Sequence, residues 1–234
     1  MRQVRHIFKK ELTTYFISPI AYIVISIFLL ITGWFFFSTF FLYNQVNLRN
    51  FFSLLPIIFS FVVPAITMRL FSEEFNVGSY EILLTLPVTY IDVVLGKFLA
   101  AVAFIVAMLI PTLAYPITVS FLGQLDWGPI AGGYTGAILL GAAFSAIGLF
   151  ASSLTRNQII AFIIGMAICF SLTLIDKMLF LLPQSLLGFL EYLGADFHFE
   201  NISKGILDSR DILYFLSVSF VGLYGACLAM EEKN

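Results

Sequence analysis

The sequence has few charged residues. They make up 11% of its 234 residues, while 60% are hydrophobic and the mean hydropathy is +1.00. Soluble domains carry about 25% charged residues, so this composition excludes an ordinary soluble domain. The net charge of −2 gives no electrostatic attraction to nucleic acid. We therefore predict one integral membrane domain over residues 1–234, with the lipid bilayer as a partner and no nucleic acid.

The motifs that mark catalytic, nucleotide and metal sites are also missing. The Gly96-Lys97 pair belongs to no GxxxxGK[ST] loop, and the HExxH, CxxC and GxSxG patterns do not occur. His6 and His198 are isolated in the sequence, whereas a metal site needs several converging ligands. We expect no catalytic, cofactor-binding or metal-binding residue, so the chain is predicted not to be an enzyme.

Charged residues within the apolar segments are rare as well. Ion-coupled transporters usually carry ionisable groups at mid-membrane, because those groups bind or relay the ion. Asp176 and Lys177 come nearest to such a position, next to each other at the outer end of an apolar run. We interpret them as an interfacial pair, with a substrate contact as the alternative. If the protein moves something, its energy is expected to arrive from outside the spans.

What the sequence does contain is long runs without charge. A spanning helix needs about 20 predominantly apolar residues, and alternating segments typical of a barrel are absent. These runs predict an all-α membrane protein with six transmembrane helices near 20–43, 50–69, 93–122, 129–153, 158–181 and 211–230. The runs themselves are Leu12–Leu48, Asn50–Met68, Phe98–Leu125, Trp127–Thr155, Asn157–Ile175 and Ile212–Met230.

Lysine and arginine in the flanking segments predict the orientation, since they favour the cytoplasmic side. If the N-terminus is inside, eight of the 12 basic residues are cytoplasmic and four are outside. Both termini are therefore expected in the cytoplasm. The inside set is Arg2, Arg5, Lys9, Lys10, Arg69, Lys97, Arg156 and Lys233, and the outside set is Arg49, Lys177, Lys204 and Arg210.

Residues 1–18 combine apolar side chains at helical spacing with cations on the remaining positions. Such a pattern is typical of a helix that lies in the headgroup plane, and Ser18-Pro19 marks its end. The alternative is a first span that simply begins early. The apolar positions are Val4, Phe8, Leu12 and Tyr15, and the basic ones are Arg5, Lys9 and Lys10.

The segment 183–210 is the longest outer connection, and it is not uniformly polar. Its first half after Pro183 is apolar but too short to cross the bilayer. A re-entrant or interfacial hairpin is therefore favoured over a free loop, because backbone at membrane depth needs protein around it.

A polar patch, residues 69–96, lies between the second and third spans. On a helix over 71–86, Phe71 and Phe75 share an apolar face with Ile82 and Leu86. The carboxylates fall elsewhere and can face a partner; they are Glu73, Glu74 and Glu81. The alternative is an ordinary amphipathic helix that rests on the membrane.

Phenylalanine is concentrated in the first two spans, at a density beyond that of an ordinary interfacial belt. This density suggests a seam between two chains or an apolar gate, and packing in the core or against lipid is the alternative. The candidate seam or gate residues are Trp34, Phe36, Phe37, Phe40, Phe52 and Phe59.

The stretch SEEFNVGSYEILLTLPV, followed by VVLGKFLAA, resembles the EExxxG[TS]xExLLxxP…GKF motif of ABC-2 type transporter permeases. SSLTRNQIIAF and HFENISKGILDSRDILYFL resemble the same family, in the same order along the chain. Within the family, the chain resembles the permeases of gliding motility and nitrous-oxide-reductase maturation.

The resemblance implies an N-terminal elbow helix, six spans and a coupling helix over 71–87 that docks on a separate ATP-binding cassette ATPase. ATP and Mg²⁺ are then expected in that ATPase and no cofactor in this chain. Phe75 and Asn76 differ from the basic or strongly polar residues of many members. The positions that match the coupling motif are Glu73, Glu74, Gly78, Ser79, Glu81, Leu83, Leu84 and Pro87.

We therefore expect the permease subunit of an export-type ABC-2 transporter in a bacterial inner membrane. Six spans are half of what such complexes use, so the resemblance implies a second permease chain, identical or a sister, and an extracytoplasmic accessory protein is possible. Two alternatives remain. One is an ATP-driven mechanotransmitter that acts on an outside partner, with 183–210 as its working surface; the other is a secondary transporter or channel without an ATPase.

Overall fold

The computed structural model describes residues 2–43, 48–79, 88–178 and 192–232, and this part of the chain is helical without any strand. The helices, numbered in chain order, are α1 Arg2–Ile17, α2 Pro19–Tyr43, α3 Arg49–Thr67, α4 Arg69–Val77, α5 Tyr90–Leu109, α6 Ala114–Ser120, α7 Trp127–Leu154, α8 Gln158–Met178, α9 Ala195–Ser203 and α10 Ser209–Glu231. A 3-10 turn, Ile110–Leu113, joins α5 to α6.

Six helical segments are long and apolar enough to cross a membrane, which confirms the predicted number of spans. The second extends beyond its predicted end, because α4 follows α3 after Met68 alone. The third is interrupted by the 3-10 turn at Pro111, since proline cannot donate the helical hydrogen bond. The segments are Pro19–Ser38, Arg49–Val77, Tyr90–Ser120, Trp127–Leu154, Gln158–Met178 and Ser209–Glu231.

Consecutive spans run in opposite directions, so the bundle has two distinct ends. The α4 end carries α1, α4 and the beginning of α5, which meet at the side chain of Lys97. The α9 end carries α9 and the beginnings of α3 and α10, as the ion pairs from Glu200 to Arg49 and from His198 to Asp211 show.

The central helix is α7, in which 72% of an apolar 18-residue window is buried. Glycine allows this burial, because it has no side chain at the contact and neighbouring helices can therefore approach closely. A Cβ atom on Gly132 would collide with the carbonyl oxygen of Ile202 in α9, and one on Gly133 would collide with the ring of Phe52 in α3. Small residues of α7 thus place α9 across the end of the bundle.

The spans differ in how much of their surface the chain itself covers. Within an apolar 18-residue window, 56% of the residues are buried in the α3–α4 span and in the α5–α6 span, whereas the share is 22% in α2 and α8 and 28% in α10. Apolar surface left open in this way faces either lipid or another membrane chain. The poorly covered helices therefore leave the largest share of their surface to lipid or to another membrane chain.

The N-terminal helix α1 and the first span are two separate helices. Helix α1 ends at Ile17, and α2 begins after Ser18 at Pro19. A Cβ atom on Gly96 of α5 would collide with the side chain of Ile7, so α1 lies directly against α5. Its placement in the headgroup plane stays a prediction.

The hairpin predicted over 183–210 is only partly within the described residues. Residues 183–191, its apolar arm, lie outside them. The other arm consists of α9, a turn at Gly205 with φ 85° and the start of α10. This arm is folded against α7, with Phe199 and Ile202 buried.

Candidate functional site

The short helix α4 continues the second span beyond a one-residue junction and is strongly amphipathic. Leu70, Phe71 and Phe75 are buried on one face, as the pattern of the sequence predicts. The helix ends at Val77, because Gly78 adopts the left-handed conformation with φ 75°. The predicted helix over 71–86 is therefore interrupted at Gly78, and residues 80–87 lie outside the described part of the chain.

The start of α4 is held by a side chain from another helix. A helix leaves its first N–H groups without intrahelical partners, and Met68 offers no side-chain cap. The hydroxyl of Ser152 in α7 accepts hydrogen bonds from the N–H groups of Phe71 (3.0 Å) and Ser72 (3.1 Å), and it donates to the carbonyl of Met68 (2.7 Å). Ser152 thus connects α4 and the end of α3 to the last turn of α7.

A buried lysine connects α4 to two further helices. The Nζ atom of Lys97 in α5 lies 2.8 Å from Oε1 of Glu74 in α4 and 3.2 Å from Oε1 of Glu11 in α1. It also donates a hydrogen bond of 2.6 Å to the carbonyl oxygen of Leu70 and lies 5.1 Å from the centre of the Phe71 ring. We call Lys97, Glu11, Glu74 and the Leu70 carbonyl the Lys97 junction.

The charges at this junction depend on each other because water is largely excluded. The side chain of Lys97 is 1% exposed, and those of Glu11 and Glu74 are 11% and 16% exposed. Lys10 lies 3.5 Å from both carboxylates at the exposed rim. Removing one partner of a buried ion pair typically costs about 3–5 kcal/mol, so the Lys97 junction joins α1, α4 and α5 firmly.

A cleft of about 270 Å³ opens beside the junction, between α1, α4 and α5. Tyr15 forms its inner wall: its hydroxyl donates to the carbonyl of Ile66 (3.1 Å), and the Arg69 guanidinium lies 4.9 Å from its ring centre. Burial raises the pKa of Tyr15, an effect that the positive charge of Arg69 only partly offsets. Tyr15 therefore stays a neutral hydrogen-bond donor.

The comparison with protein families identifies the larger group. The model of a family described as "ABC-2 family transporter protein" matches residues 5–198. The chain belongs to this family. It is thus a permease subunit of an ABC transporter and a multi-pass membrane protein, and the family implies an ATP-binding cassette ATPase as partner. A comparison with curated proteins found none that matches the chain.

Two neighbouring glutamates of α4, which the sequence analysis assigned to the same interface, have different surroundings in the permease. Glu73 is exposed on α4, and Gly78 and Ser79 are exposed after it. Glu74 is less accessible than expected for a residue that faces a partner, because its side chain is 16% exposed and pairs with Lys97; its contact with an ATPase stays a prediction. A fully buried lysine needs a counter-charge, which explains this position. The remaining predicted coupling residues lie outside the described part of the chain; they are Glu81, Leu83, Leu84 and Pro87.

Three residues of this site were missed in the sequence: Lys97 as a junction, Glu11 and Ser152. A signal did exist for Lys97, because it directly precedes a long charge-free run and lies within the predicted span 93–122. In the structure, α5 begins at Tyr90, two turns before it. A charge two turns inside a spanning helix usually faces the bundle interior and has a partner. Ser152 gave no signal, since its role depends on where α7 ends relative to α4.

The aromatic residues proposed as a seam or gate fall into two groups. Phe36, Phe52 and Phe59 are buried within the permease. Phe36 stacks on Tyr115 at a centroid distance of 4.9 Å, Phe52 contacts Tyr134 at 5.4 Å and Phe59 contacts Phe28 at 6.1 Å. A seam between chains does not fit their position, because the chain's own helices already cover them.

Trp34 and Phe37 remain accessible. Trp34 is 71% exposed and Phe37 is 42% exposed, and they line an open groove of about 430 Å³ on α2. The groove also includes Leu30, Gly33 and Ser38. The side chain of Phe40 lies outside the described part of the structure.

Charged residues at the α9 end connect α8 to α9. Lys177 pairs with Asp196 at 2.6 Å, and a carboxylate oxygen of Asp176 accepts a hydrogen bond of 2.6 Å from the N–H of Phe197. Both residues thus hold α9, and their position at the membrane interface stays a prediction. Within the described residues, no group of three His, Cys, Asp or Glu side chains could hold a metal ion.

Proposed function

We propose that this permease moves substrate out of the cell, driven by a separate ATP-binding cassette ATPase that docks at the α4 end. The observation that carries the proposal is the attachment of α4 to four other helices. It directly continues α3, Ser152 links it to α7, and the Lys97 junction links it to α1 and α5. A displacement of α4 must therefore move spans, not only a surface loop.

The two glutamates of α4 would divide the task. Glu73, Ser79 and the adjoining residues 80–87 would contact the ATPase, since Glu73 and Ser79 are exposed. Glu74 would pass the movement on to α1 and α5 through Lys97. The exposed group governs docking, and the buried group governs coupling.

Orientation and chemistry follow from this assignment. The α4 end would face the cytoplasm of a bacterial cell, with both termini on that side, because ATP is available there and most basic residues flank that end. ATP and Mg²⁺ would bind the ATPase, and this chain would hydrolyse nothing itself.

A second permease chain, identical or a sister, would complete the complex. Two observations support α2 and α8 as the contact: they are the least covered spans, and α2 presents the open groove with Trp34 and Phe37. A substrate path would then lie between the two chains. An apolar path of this kind fits an amphiphilic or apolar substrate.

Site-specific crosslinking tests the docking. The full chain, with Cys169 and Cys227 replaced by alanine, is co-expressed with the ATP-binding cassette ATPase subunits of its own genome. A photo-crosslinker is attached to a cysteine at position 79, in place of Ser79, or at position 203, in place of Ser203 at the α9 end. We expect an ATPase adduct from position 79 only. An adduct from position 203, or none from position 79, contradicts the docking.

ATPase activity in nanodiscs tests the coupling and separates the alternatives. If the permease stimulates ATP hydrolysis and a lipid or drug-like substrate raises it further, the complex is a pump. Stimulation by an extracytoplasmic protein without substrate movement identifies a mechanotransmitter. Transport driven by an ion gradient in the absence of any ATPase overturns the proposal in favour of a secondary transporter or channel.

A further inference from the structure

The α9 end contains a buried histidine that the function proposed above does not use. His198 in α9 and Asp211 in the first turn of α10 are 1% and 3% exposed. The Nδ1 atom of His198 lies 2.6 Å from Oδ1 of Asp211, and its Nε2 atom lies 3.1 Å from the carbonyl oxygen of Tyr192. One imidazole thus joins three points of the chain, although the sequence left His198 without a partner.

The two hydrogen bonds of the imidazole require one proton more than a neutral histidine and an ionised aspartate carry together. A backbone carbonyl only accepts hydrogen bonds, an ionised carboxylate only accepts, and a neutral imidazole carries a single N–H group. If His198 is neutral and Asp211 is ionised, one ring nitrogen therefore faces an acceptor without a proton between them. Both contacts form only when the pair holds one more proton, on the imidazole or on the carboxyl group.

Among the residues that the structure describes, the surroundings of the pair supply no substitute for this proton. The ring of Tyr214 stacks on His198 at 4.1 Å, but its hydroxyl donates to the carbonyl of Leu193 instead. The second carboxylate oxygen of Asp211 is buried and has no hydrogen-bond partner among the described residues. Phe197 and Phe215 complete the apolar wall.

Several charged groups on the packed helices have partners elsewhere, and the side chain of Arg210 in α10 is exposed. Lys177 of α8 pairs with Asp196 of α9, and Asp176 of α8 accepts from the N–H of Phe197. Arg49 of α3 and Lys204 pair with Glu200 of α9. Two capping groups bind nearby backbone: Asp126 accepts from the N–H of Gly128 before α7, and Asp208 accepts from the N–H of Arg210 before α10.

We propose that His198 and Asp211 form a proton-binding latch that holds α9 on α10. With the extra proton bound, the turn at Tyr192, α9 and α10 are joined through one imidazole. Without it, one buried contact becomes repulsive and α9 loosens. Because Phe199 and Ile202 of α9 pack against Gly136 of α7, the proton concentration on this side of the membrane controls how firmly the α9 end is closed. This inference does not depend on the ATPase partner.

A direct measurement uses the fact that the chain has two histidines. Replacing His6 by glutamine leaves His198 as the single one, in the full chain in nanodiscs. Nitrogen-15 NMR of the imidazole and the infrared band of a protonated carboxyl group then report where the proton lies. We expect either two protonated ring nitrogens or a protonated carboxyl group at neutral pH. A neutral imidazole beside an ionised carboxylate overturns the latch.

The variant Asp211→Asn separates a proton latch from a merely structural contact. The amide group of asparagine can donate to Nδ1, while Nε2–H donates to the Tyr192 carbonyl. Both contacts are then satisfied by a neutral histidine. Opening of α9 is measured as the rate of maleimide labelling of a cysteine that replaces the buried Ala195, with Cys169 and Cys227 replaced by alanine.

At each pH, the labelling rate of the chain with Asp211 is divided by that of the Asp211→Asn variant, which cancels the pH dependence of the thiol reaction. We expect this ratio to rise about tenfold or more as the pH increases, since an unsatisfied buried polar contact has an effect of that order. The matched control Asp196→Asn, on the same helix, should keep the rise. A ratio independent of pH contradicts the latch. If Asp211→Asn fails to fold, the NMR and infrared measurements still decide.

Discussion

Each end of the bundle contains a buried basic side chain that joins several helices, but the two side chains have different partners. At the α4 end, a buried lysine has two carboxylates and a carbonyl around it. At the α9 end, a buried histidine has one carboxylate and a carbonyl. Lys97 has donors enough for all three acceptors around it, whereas the imidazole of His198 reaches both of its acceptors only with an added proton on the pair. Under the proposed latch, the α4 end therefore has a permanent connection and the α9 end a conditional one.

The largest effect is expected from Lys97→Met, which should lower the free energy of unfolding by about 3–5 kcal/mol, because Glu11 and Glu74 lose their shared counter-charge. Chemical denaturation in detergent measures it. The triple variant Lys97→Met/Glu11→Gln/Glu74→Gln should recover most of the loss, since no unpaired charge remains. Lys10→Met at the exposed rim is the matched control. An equal effect of Lys97→Met and Lys10→Met contradicts the permanent connection.

Glu74→Gln should cost about 1.5–3 kcal/mol, the usual contribution of a hydrogen bond to a charged group. Its neighbour Glu73→Gln should stay within about 0.5 kcal/mol, as most exposed substitutions do. In the ATPase complex, Glu74→Gln should keep binding but reduce the stimulation of ATP hydrolysis, whereas Glu73→Arg should weaken binding. The opposite assignment would show that the buried glutamate is the docking residue.

Ser152→Ala should cost about 1–3 kcal/mol, because it leaves two N–H groups at the start of α4 without their acceptor. Hydrogen exchange should increase at Phe71 and Ser72 in particular. Ser171→Ala is the control, because that hydroxyl bonds only to Ala167 of its own helix among the contacts described. Unchanged exchange in α4 would mean that Ser152 does not hold it.

The smallest effect concerns the exposed pair at the α9 end. The hydrogen bond from Lys204 lowers the pKa of Glu200, against a smaller opposing effect of burial. A carboxyl group whose pKa is lower in the folded state stabilises the fold above its unfolded pKa, and this contribution disappears as the pH falls through the folded pKa. The exposed pair contributes less than about 1 kcal/mol.

Lys204→Ala should therefore remove a small loss of stability at acid pH, measured by thermal unfolding. The latch has the opposite sign, because it is lost as the pH rises. The two effects can be separated in one pH series with Lys204→Ala and Asp211→Asn. If Lys204→Ala leaves the acid dependence unchanged, Glu200 is not its source.

The number of spans and the position of the polar helix were predictable from local sequence. Each charge-free run, such as 127–155, is long enough by itself, because transfer into lipid depends on the residues of one helix. The amphipathic face with Phe71 and Phe75 was predictable for the same reason. Gly78 also offered a signal for the helix end at Val77, but the predicted helix was continued to residue 86.

The contacts between helices could not be predicted from the sequence. Phe59 and Trp34 lie in similarly apolar runs, yet Phe59 is buried and Trp34 is exposed, since burial depends on how each helix is rotated against its neighbours. The sequence left His198 isolated because its partner Asp211 is on the next helix. Hydrophobic periodicity indicates which residues share a face of one helix, but not which residues of different helices are in contact.

The sequence by itself determined that this is an all-helical membrane protein with six spans and a polar helix between the second and third. The low charge content suffices for that conclusion, because lipid excludes unpaired charge and open backbone wherever they occur. Only the tertiary structure decided which glutamate of α4 faces outward and which binds Lys97. The reason is geometric: two adjacent side chains on a helix point in different directions, and only the packing of α1, α5 and α7 defines which direction is the interior.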